Sequence, residues 1–247
     1  MKALLLAAGL GTRLKPITDS IPKCLVPIND KPLLSYWLDL LNNAGVNEFY
    51  INIHYHPNAV IEFIESSPHR NKINIIKEDK LLGTGGTLKK NAHYFKDEPF
   101  FIAHADNLCI TDFTRFISAH KSKPKNTAIT MMTFNPPDPR TCGVVSIDKN
   151  NIVTEFHEKV ENPPTTLANC AVFIMDEDVA EFASNYSKDE FEISLDIIPN
   201  YLERIIAWHN DDYHLDIGTP ETYKQAQNDS NLVQDLFIKY TTPKETL

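Results

Sequence analysis

Residues 1–28 constrain this 247-residue chain more tightly than any other stretch. An apolar run, Ala3 to Ala8, ends at Gly9 and Gly11, which reads as a short buried strand and not a helix. Pro16, Pro22 and Pro27 then deny any long helix, because each lacks an amide hydrogen and fixes φ. The strand must therefore open into an extended loop. Four cations (Lys2, Arg13, Lys15, Lys23) stand here against one acid, Asp19, on a chain whose formal net charge is -9. A positive island on a negative protein points to an anionic ligand.

The loop also excludes two phosphate sites. Both the dinucleotide fingerprint and the Walker loop need glycine where this chain has Leu14. What is left is Gly9-Leu10-Gly11-Thr12-Arg13, with Lys23 further on. Glycines allow successive amides to turn toward a polyphosphate, Arg13 can grip its oxygens as a fork, and Lys23 adds a point charge.

These residues, L-A-A-G-x-G-T-R-L-x-P-x-T followed by P-K-C-L-V-P, resemble the opening signature of the sugar-1-phosphate nucleotidyltransferases. The resemblance runs from Met1 to about Ala226. It implies a Rossmann-like α/β fold, with a mostly parallel sheet flanked by helices and added antiparallel strands forming a sugar pocket. It lacks the β-helix domain that some relatives append.

Composition agrees with one large α/β domain: 42% hydrophobic and 23% charged residues are ordinary globular values. The acidic balance argues against nucleic acid or an anionic membrane as partner. No apolar stretch approaches the roughly 20 residues that span a bilayer. The segment after Lys2 is at the short limit of a signal peptide and lacks a cleavage context, so a cytoplasmic protein is expected. Cys24, Cys109, Cys142 and Cys170 show neither C-x-x-C pairing nor metal spacing and read as small buried side chains in a reducing compartment.

Along the chain, helical stripes (31–44, 57–65) alternate with strand-like runs (48–55, 73–76, 99–105), as βαβ units require. Residues 77–86 read as a loop and 87–95 as a short helix, with a further helix over 112–122. From residue 128 to 175 four strand-like runs lie close together, two of them joined by the turn Asp148-Lys149-Asn150-Asn151. Helices are expected over 177–186 and 194–203, an extended run over 205–217, and a last helix opening at Thr219-Pro220. The expected layout is a catalytic domain over 1–230, with a nucleotide half of about 1–110 and a sugar half of about 111–217. A loosely held polar tail over 231–247 follows.

Asp106 follows the apolar run from Phe100 and so falls at the carboxyl end of a strand, where open α/β sheets bind ligands. Asp216 precedes Ile-Gly-Thr-Pro-Glu. By resemblance the two aspartates hold Mg²⁺ and Arg13 and Lys23 are catalytic. Ala8, Gly9, Gly11, Thr12, Gly83, Thr84 and Gly85 would line the nucleotide. Gly143, Glu158, Lys159 and Asn169 would take the sugar phosphate. Gly85 stands where the family usually has alanine, and Ala171 where it usually has glycine. Read alone, Asp216 could equally be a turn residue and Glu158-Lys159 a solvated pair. Both aspartates are expected to serve metal and not packing.

The implied reaction joins an NTP to a sugar 1-phosphate, giving an NDP-sugar and pyrophosphate. Segments such as H-A-D-N, D-P-R-T-C-G-V-V and Y-H-L-D-I-G-T-P-E are most similar to small mannose-1-phosphate guanylyltransferases, which favours GTP. Thymidylyl or uridylyl transfer to another hexose 1-phosphate, or a catalytically silent sensor of sugar nucleotides, are the alternatives. A nicotinamide oxidoreductase is disfavoured by Leu14. His54 and His56 share a strand face without further ligands and read as structural.

Overall fold

The structure, a computed structural model, describes residues 1–242. In chain order it runs β1 (Lys2–Leu6), β2 (Pro27–Ile28), β3 (Lys31–Pro32), α1 (Leu33–Asn43), β4 (Glu48–Ile53), α2 (Pro57–Ser66) and β5 (Ile73–Lys77). Then come α3 (Gly83–Asn91), β6 (Phe100–His104), β7 (Asn107–Ile110), α4 (Phe113–Lys121), β8 (Ile129–Phe134), β9 (Gly143–Ile147) and β10 (Val153–Glu158). The chain closes with β11 (Ala168–Met175), α5 (Glu177–Ser184), β12 (Ile205–His209), β13 (Tyr213–Asp216), α6 (Pro220–Asn228) and α7 (Ser230–Thr241). The class is mixed α/β, a mostly parallel sheet flanked by helices with added antiparallel strands.

Contacts divide the chain into two compact units, and neither is a continuous half of the sequence. The first comprises Met1–Leu4, Leu81–Ala103 and Phe116–Asn210, and the second Leu5–Lys80, His104–Arg115 and Asp211–Leu247. Both units include stretches from either side of residue 110, because strands that pair in space come from distant parts of the chain.

In the second unit β4 and β5 pair in parallel, Phe49 opposite Ile73. Helix α1 buries Leu34, Trp37, Leu38 and Leu41, the stripe that its 3.6-residue period sets on one face. The Trp37 indole N–H donates to the Asn107 carbonyl at 2.9 Å, which ties α1 to β7. Strand β7, absent from the sequence reading, pairs antiparallel with β13, Asp216 opposite Asn107. The expected extended run over 205–217 is thus two strands, divided between the units. Helix α6 opens with a capping box, Thr219 and Thr222 each satisfying the other's backbone amide.

Residues 230–241 are not a loose tail but helix α7. Its Val233 is buried, Phe237 meets Tyr36 edge-on at 5.1 Å, and the Tyr240 hydroxyl donates to Asp212. Its apolar residues recur three to four apart, and the polar residues between them hid that stripe. Residues 243–247 of the expected tail lie outside the described residues.

In the first unit β11 is the hub: it pairs antiparallel with β6, β8 and β9, while β12 runs parallel to β8. The hairpin between β9 and β10 is closed by Asp148, whose carboxylate accepts from the Asn150 and Ile152 amides. The expected helix over 194–203 is a π-turn, Ile193–Ile197, followed by a 3₁₀ turn, Ile198–Tyr201, since Pro199 has no amide to continue an α-helix. Among the described residues no helix is long and apolar enough to cross a membrane.

Buried beneath β8 is a polar cluster. His120 Nδ1 is hydrogen-bonded to the Thr130 hydroxyl at 2.8 Å, and Nε2 lies 3.1 Å from Asp176. Lys123 reaches the same carboxylate at 3.0 Å. Burial pulls the Asp176 pKa up, but His120 and Lys123 outweigh it and hold it below the usual carboxylate value. The ionised form therefore stabilises the fold fully above the ordinary aspartate pKa, and that contribution is lost as pH falls through the lower folded value. Asp176→Asn should cost about 1.5–3 kcal/mol at pH 7, with the deficit shrinking below pH ~3.9. Urea unfolding of both proteins at pH 7 and pH 3 measures this. An equal deficit at both would remove the charge from the account.

Candidate functional site

In the second unit β1 ends at Leu6, and Leu6 accepts the Ala105 amide at 3.0 Å. This bond sets the Gly9 loop beside the turn that follows β6. A Cβ on Gly9 would stand 3.7 Å from an Asp106 carboxylate oxygen. Gly11 has φ 62, a left-handed angle that glycine adopts at no steric cost. A Cβ there would lie 2.9 Å from the Thr18 methyl. The Thr18 hydroxyl donates to the Gly11 carbonyl at 2.7 Å, and Tyr55 donates to the Thr18 carbonyl, so the turn is braced from below.

Lys23 is the centre of this loop. Its side chain is only 6% exposed, and its ammonium sits 3.0 Å from Asp106 and 2.9 Å from Asp216. Burial works against the ammonium, yet the two carboxylates outweigh it and hold the Lys23 pKa above the usual lysine value. Burial likewise pulls Asp216 up, while Lys23 and then Arg13 hold it below the usual carboxylate value. Arg13, largely exposed, reaches Asp216 at 3.4 Å. His214, two residues before Asp216 on β13, is half-buried, and desolvation pushes its ring down to about 4, so it is neutral at physiological pH. The expectation that the aspartates play no part in packing fails here: each is a partner of a buried cation.

A buried relay supports the same loop. The Ala7 amide donates to Asn52 at 2.7 Å, and Asn52 in turn donates to the Glu78 carboxylate at 3.2 Å. Neither Asn52 nor Glu78 stood out in the sequence, where Asn52 is one polar residue between two isoleucines and Glu78 is one of four consecutive charges, Lys77 to Lys80. The Cys24 thiol is pushed up to about 12, first by burial and then by Asp106, and stays protonated.

In the first unit Gly83, Thr84 and Gly85 are not in a loop but in the first turn of α3, which begins four residues earlier than expected. Gly143 on β9 lies opposite Glu158 on β10. A Cβ on Gly143 would fall 2.5 Å from the Phe156 ring and 2.6 Å from Glu158, so this glycine makes room for the carboxylate itself. Lys159 follows at φ 50 and approaches Glu158 at 3.5 Å. Asn169 turns its carbonyl oxygen onto the Ala171 amide at 2.8 Å, and Ala171 takes φ 56 where β11 slips register against β8. The alanine therefore occupies a left-handed position that suits the glycine it replaces.

A convergence of Arg13, Lys23 and two aspartates can neutralise a polyphosphate and offer hard oxygens to a small divalent cation. Among the described residues no group of three or more His, Cys, Asp or Glu forms a larger metal cluster.

The nucleotidyl transferase family model matches residues 2–231. A D-glycero-α-D-manno-heptose 1-phosphate guanylyltransferase of Campylobacter jejuni is 31% identical, covering 90% of this chain and 97% of that protein. A mannose-1-phosphate guanylyltransferase of Mycobacterium tuberculosis is 28% identical over 92% of this chain, which spans 64% of that longer protein. A crystal structure of HddC from Yersinia pseudotuberculosis, complexed with GMP-PN, superposes with a TM-score of 0.76 at 28% identity, covering 92% of this chain and 98% of that one.

Ala171→Gly should raise stability by about 1 kcal/mol, because a Cβ in the left-handed region is strained and the amide bond to Asn169 is untouched. In a chain of this size that is a rise of about 2–4 °C in Tm. Calorimetry showing a lower Tm would refute the strain.

Proposed function

Since the chain belongs to the nucleotidyl transferase family, we propose that it joins a nucleoside triphosphate to a sugar 1-phosphate, giving an NDP-sugar and pyrophosphate. The observation that carries this reading is the buried Lys23 ammonium held between Asp106 and Asp216, with Arg13 on the same carboxylate. A phosphate oxygen of the sugar 1-phosphate attacks the α-phosphorus of the NTP. The bond from that phosphorus to the bridging oxygen breaks, and pyrophosphate leaves with the electron pair. The nucleophile is already ionised, so no general base is needed, and the protein supplies position and charge.

Arg13 and Lys23 neutralise the departing pyrophosphate. Ala8, Gly9, Gly11 and Thr12 present backbone to the triphosphate, and Gly83, Thr84 and Gly85 lie along the nucleoside. Glu158 accepts sugar hydroxyls, with Gly143 and Asn169 shaping that pocket and Lys159 facing the sugar phosphate. Asp106 and Asp216 fit Mg²⁺, because two hard carboxylates already converge on one cation. Mg²⁺ held there would act as a Lewis acid and offset the charge of the phosphates.

The favoured pair is GTP with mannose 1-phosphate or a manno-configured relative, by likeness to the guanylyltransferases above. Among the described residues the four cysteines form no disulfide, which accords with a cytoplasmic setting. A pyrophosphate-release screen of four NTPs against a panel of sugar 1-phosphates tests the reading. GTP should be preferred sharply, because guanine carries an exocyclic amine and an N1–H that a uracil or thymine site cannot satisfy. Preference for dTTP or UTP would overturn the guanylyl assignment, and NDP-sugar binding without turnover would make the chain a sensor.

Arg13→Ala should cut kcat by about 10²–10³, as loss of one oxyanion donor does, with little change in Tm since the guanidinium is exposed. Near-normal turnover would remove Arg13 from the mechanism. Asp216→Asn should abolish the shift in Tm that Mg²⁺ gives the native protein. A Mg²⁺ response equal to wild type would leave Asp216 as a partner of Lys23 alone.

A further inference from the structure

The glycines at the start of α3 leave no room for side chains, but what fills the room is protein. A Cβ on Gly83 would meet the Phe191 carbonyl at 2.4 Å, on Gly85 the Phe191 ring at 2.3 Å, and on Gly86 the Asp189 carbonyl at 2.3 Å. Residues 189–193 lie directly on the helix's first turn. The Gly85 amide donates to the Phe191 carbonyl at 2.9 Å.

The helix lacks a side-chain cap of its own, since Leu82 holds the N-cap position. Glu192 supplies one from 108 residues away: its Oε2 accepts the Thr84 amide at 3.0 Å and the Thr84 hydroxyl at 2.6 Å. That hydroxyl also accepts the Ile193 amide at 2.8 Å. Thr84 is therefore engaged within the protein and serves as an anchor, not as a ligand donor. Glu192 is itself held, because Asp196 accepts its amide at 3.0 Å while taking Tyr186 and Lys188. One turn along, Lys89 reaches the Tyr186 carbonyl and the Asp189 carboxylate, both at 2.8 Å. A π-turn begins at Ile193, a distortion common at functional segments.

We propose that Glu192 is a positioning residue that caps α3 from the 186–196 segment and sets the Gly83–Gly86 turn for the nucleoside; this rests on the nucleotidyltransferase reading. A carboxylate at that helix end also gives the turn a sign. Helix N-termini attract phosphate, but here the vacancy is filled by an anion, so the turn faces an uncharged part of the nucleotide.

The test compares Glu192→Ala, Glu192→Gln, Thr84→Val and Thr84→Ser with the wild type. Glu192→Ala and Thr84→Val should raise KM for the nucleotide at least tenfold while kcat stays within about threefold. Glu192→Gln should restore KM to within about threefold, because its amide oxygen accepts both Thr84 donors, and Thr84→Ser should do likewise. Hydrogen exchange of peptides covering 83–91 should quicken in Glu192→Ala, with peptides from β4 and β5 unchanged. Unchanged KM and exchange in Glu192→Ala would overturn the proposal, as would global loosening. If Glu192→Ala does not fold, the Thr84 pair decides by the same readings. A wild type without turnover on any substrate pair would refute the reaction reading alone, and exchange would still decide whether Glu192 holds the turn.

Discussion

A lysine ammonium in a mostly water-excluded place, held by two carboxylates, is the interaction on which the second unit depends. Lys23 would be costly to bury alone, and Asp106 and Asp216 would repel each other without it. Each of the three is brought by a different part of the chain: a proline-bounded loop, the turn after β6, and the end of β13. The pairing of β13 with β7 and the grip of Trp37 on Asn107 are what make that meeting reproducible. The same arrangement that stabilises the unit is one a triphosphate and a divalent cation can enter, since every member is charged and Arg13 and Asp216 are open to solvent.

The two glycine-rich segments solve different problems. At Gly9 and Gly11 the absent side chains leave backbone beside an aspartate and permit a left-handed turn. At Gly83, Gly85 and Gly86 they admit another stretch of the protein. Similar composition thus carries two physical meanings, a left-handed turn beside a carboxylate in one place and internal packing in the other.

The strand periods and the proline and glycine punctuation made most elements legible, because apolar runs and helical stripes follow local rules. Arg13 and Lys23 stood out as cations on an acidic chain and Asp106 as a carboxylate at a strand end, whereas Asp216 was singled out by the family resemblance. Strand β7 was not, being four residues of mixed character whose partner lies about a hundred residues away. The discontinuous units, the Asn52–Glu78 relay and the Glu192 cap were hidden for the same reason, since each is a long-range pairing with no local signature. Helix α7 failed differently: its polar surface residues were read as a tail, while its inward stripe of buried Val233 and half-buried Phe237 and Tyr240 was present but diluted.

The contact between Gly85 and Phe191 imposes an order on history. A Cβ at position 85 would stand 2.3 Å from the Phe191 ring, so an alanine there requires the present ring to move. A lineage moving between the two states must lose the methyl before it gains the phenyl, or shrink the ring before it regains the methyl. The intermediate with neither carries a small void and is the passable route, whereas the one with both must displace the ring. Positions 85 and 191 should therefore change as a linked pair, with the position that carries the bulk giving it up first.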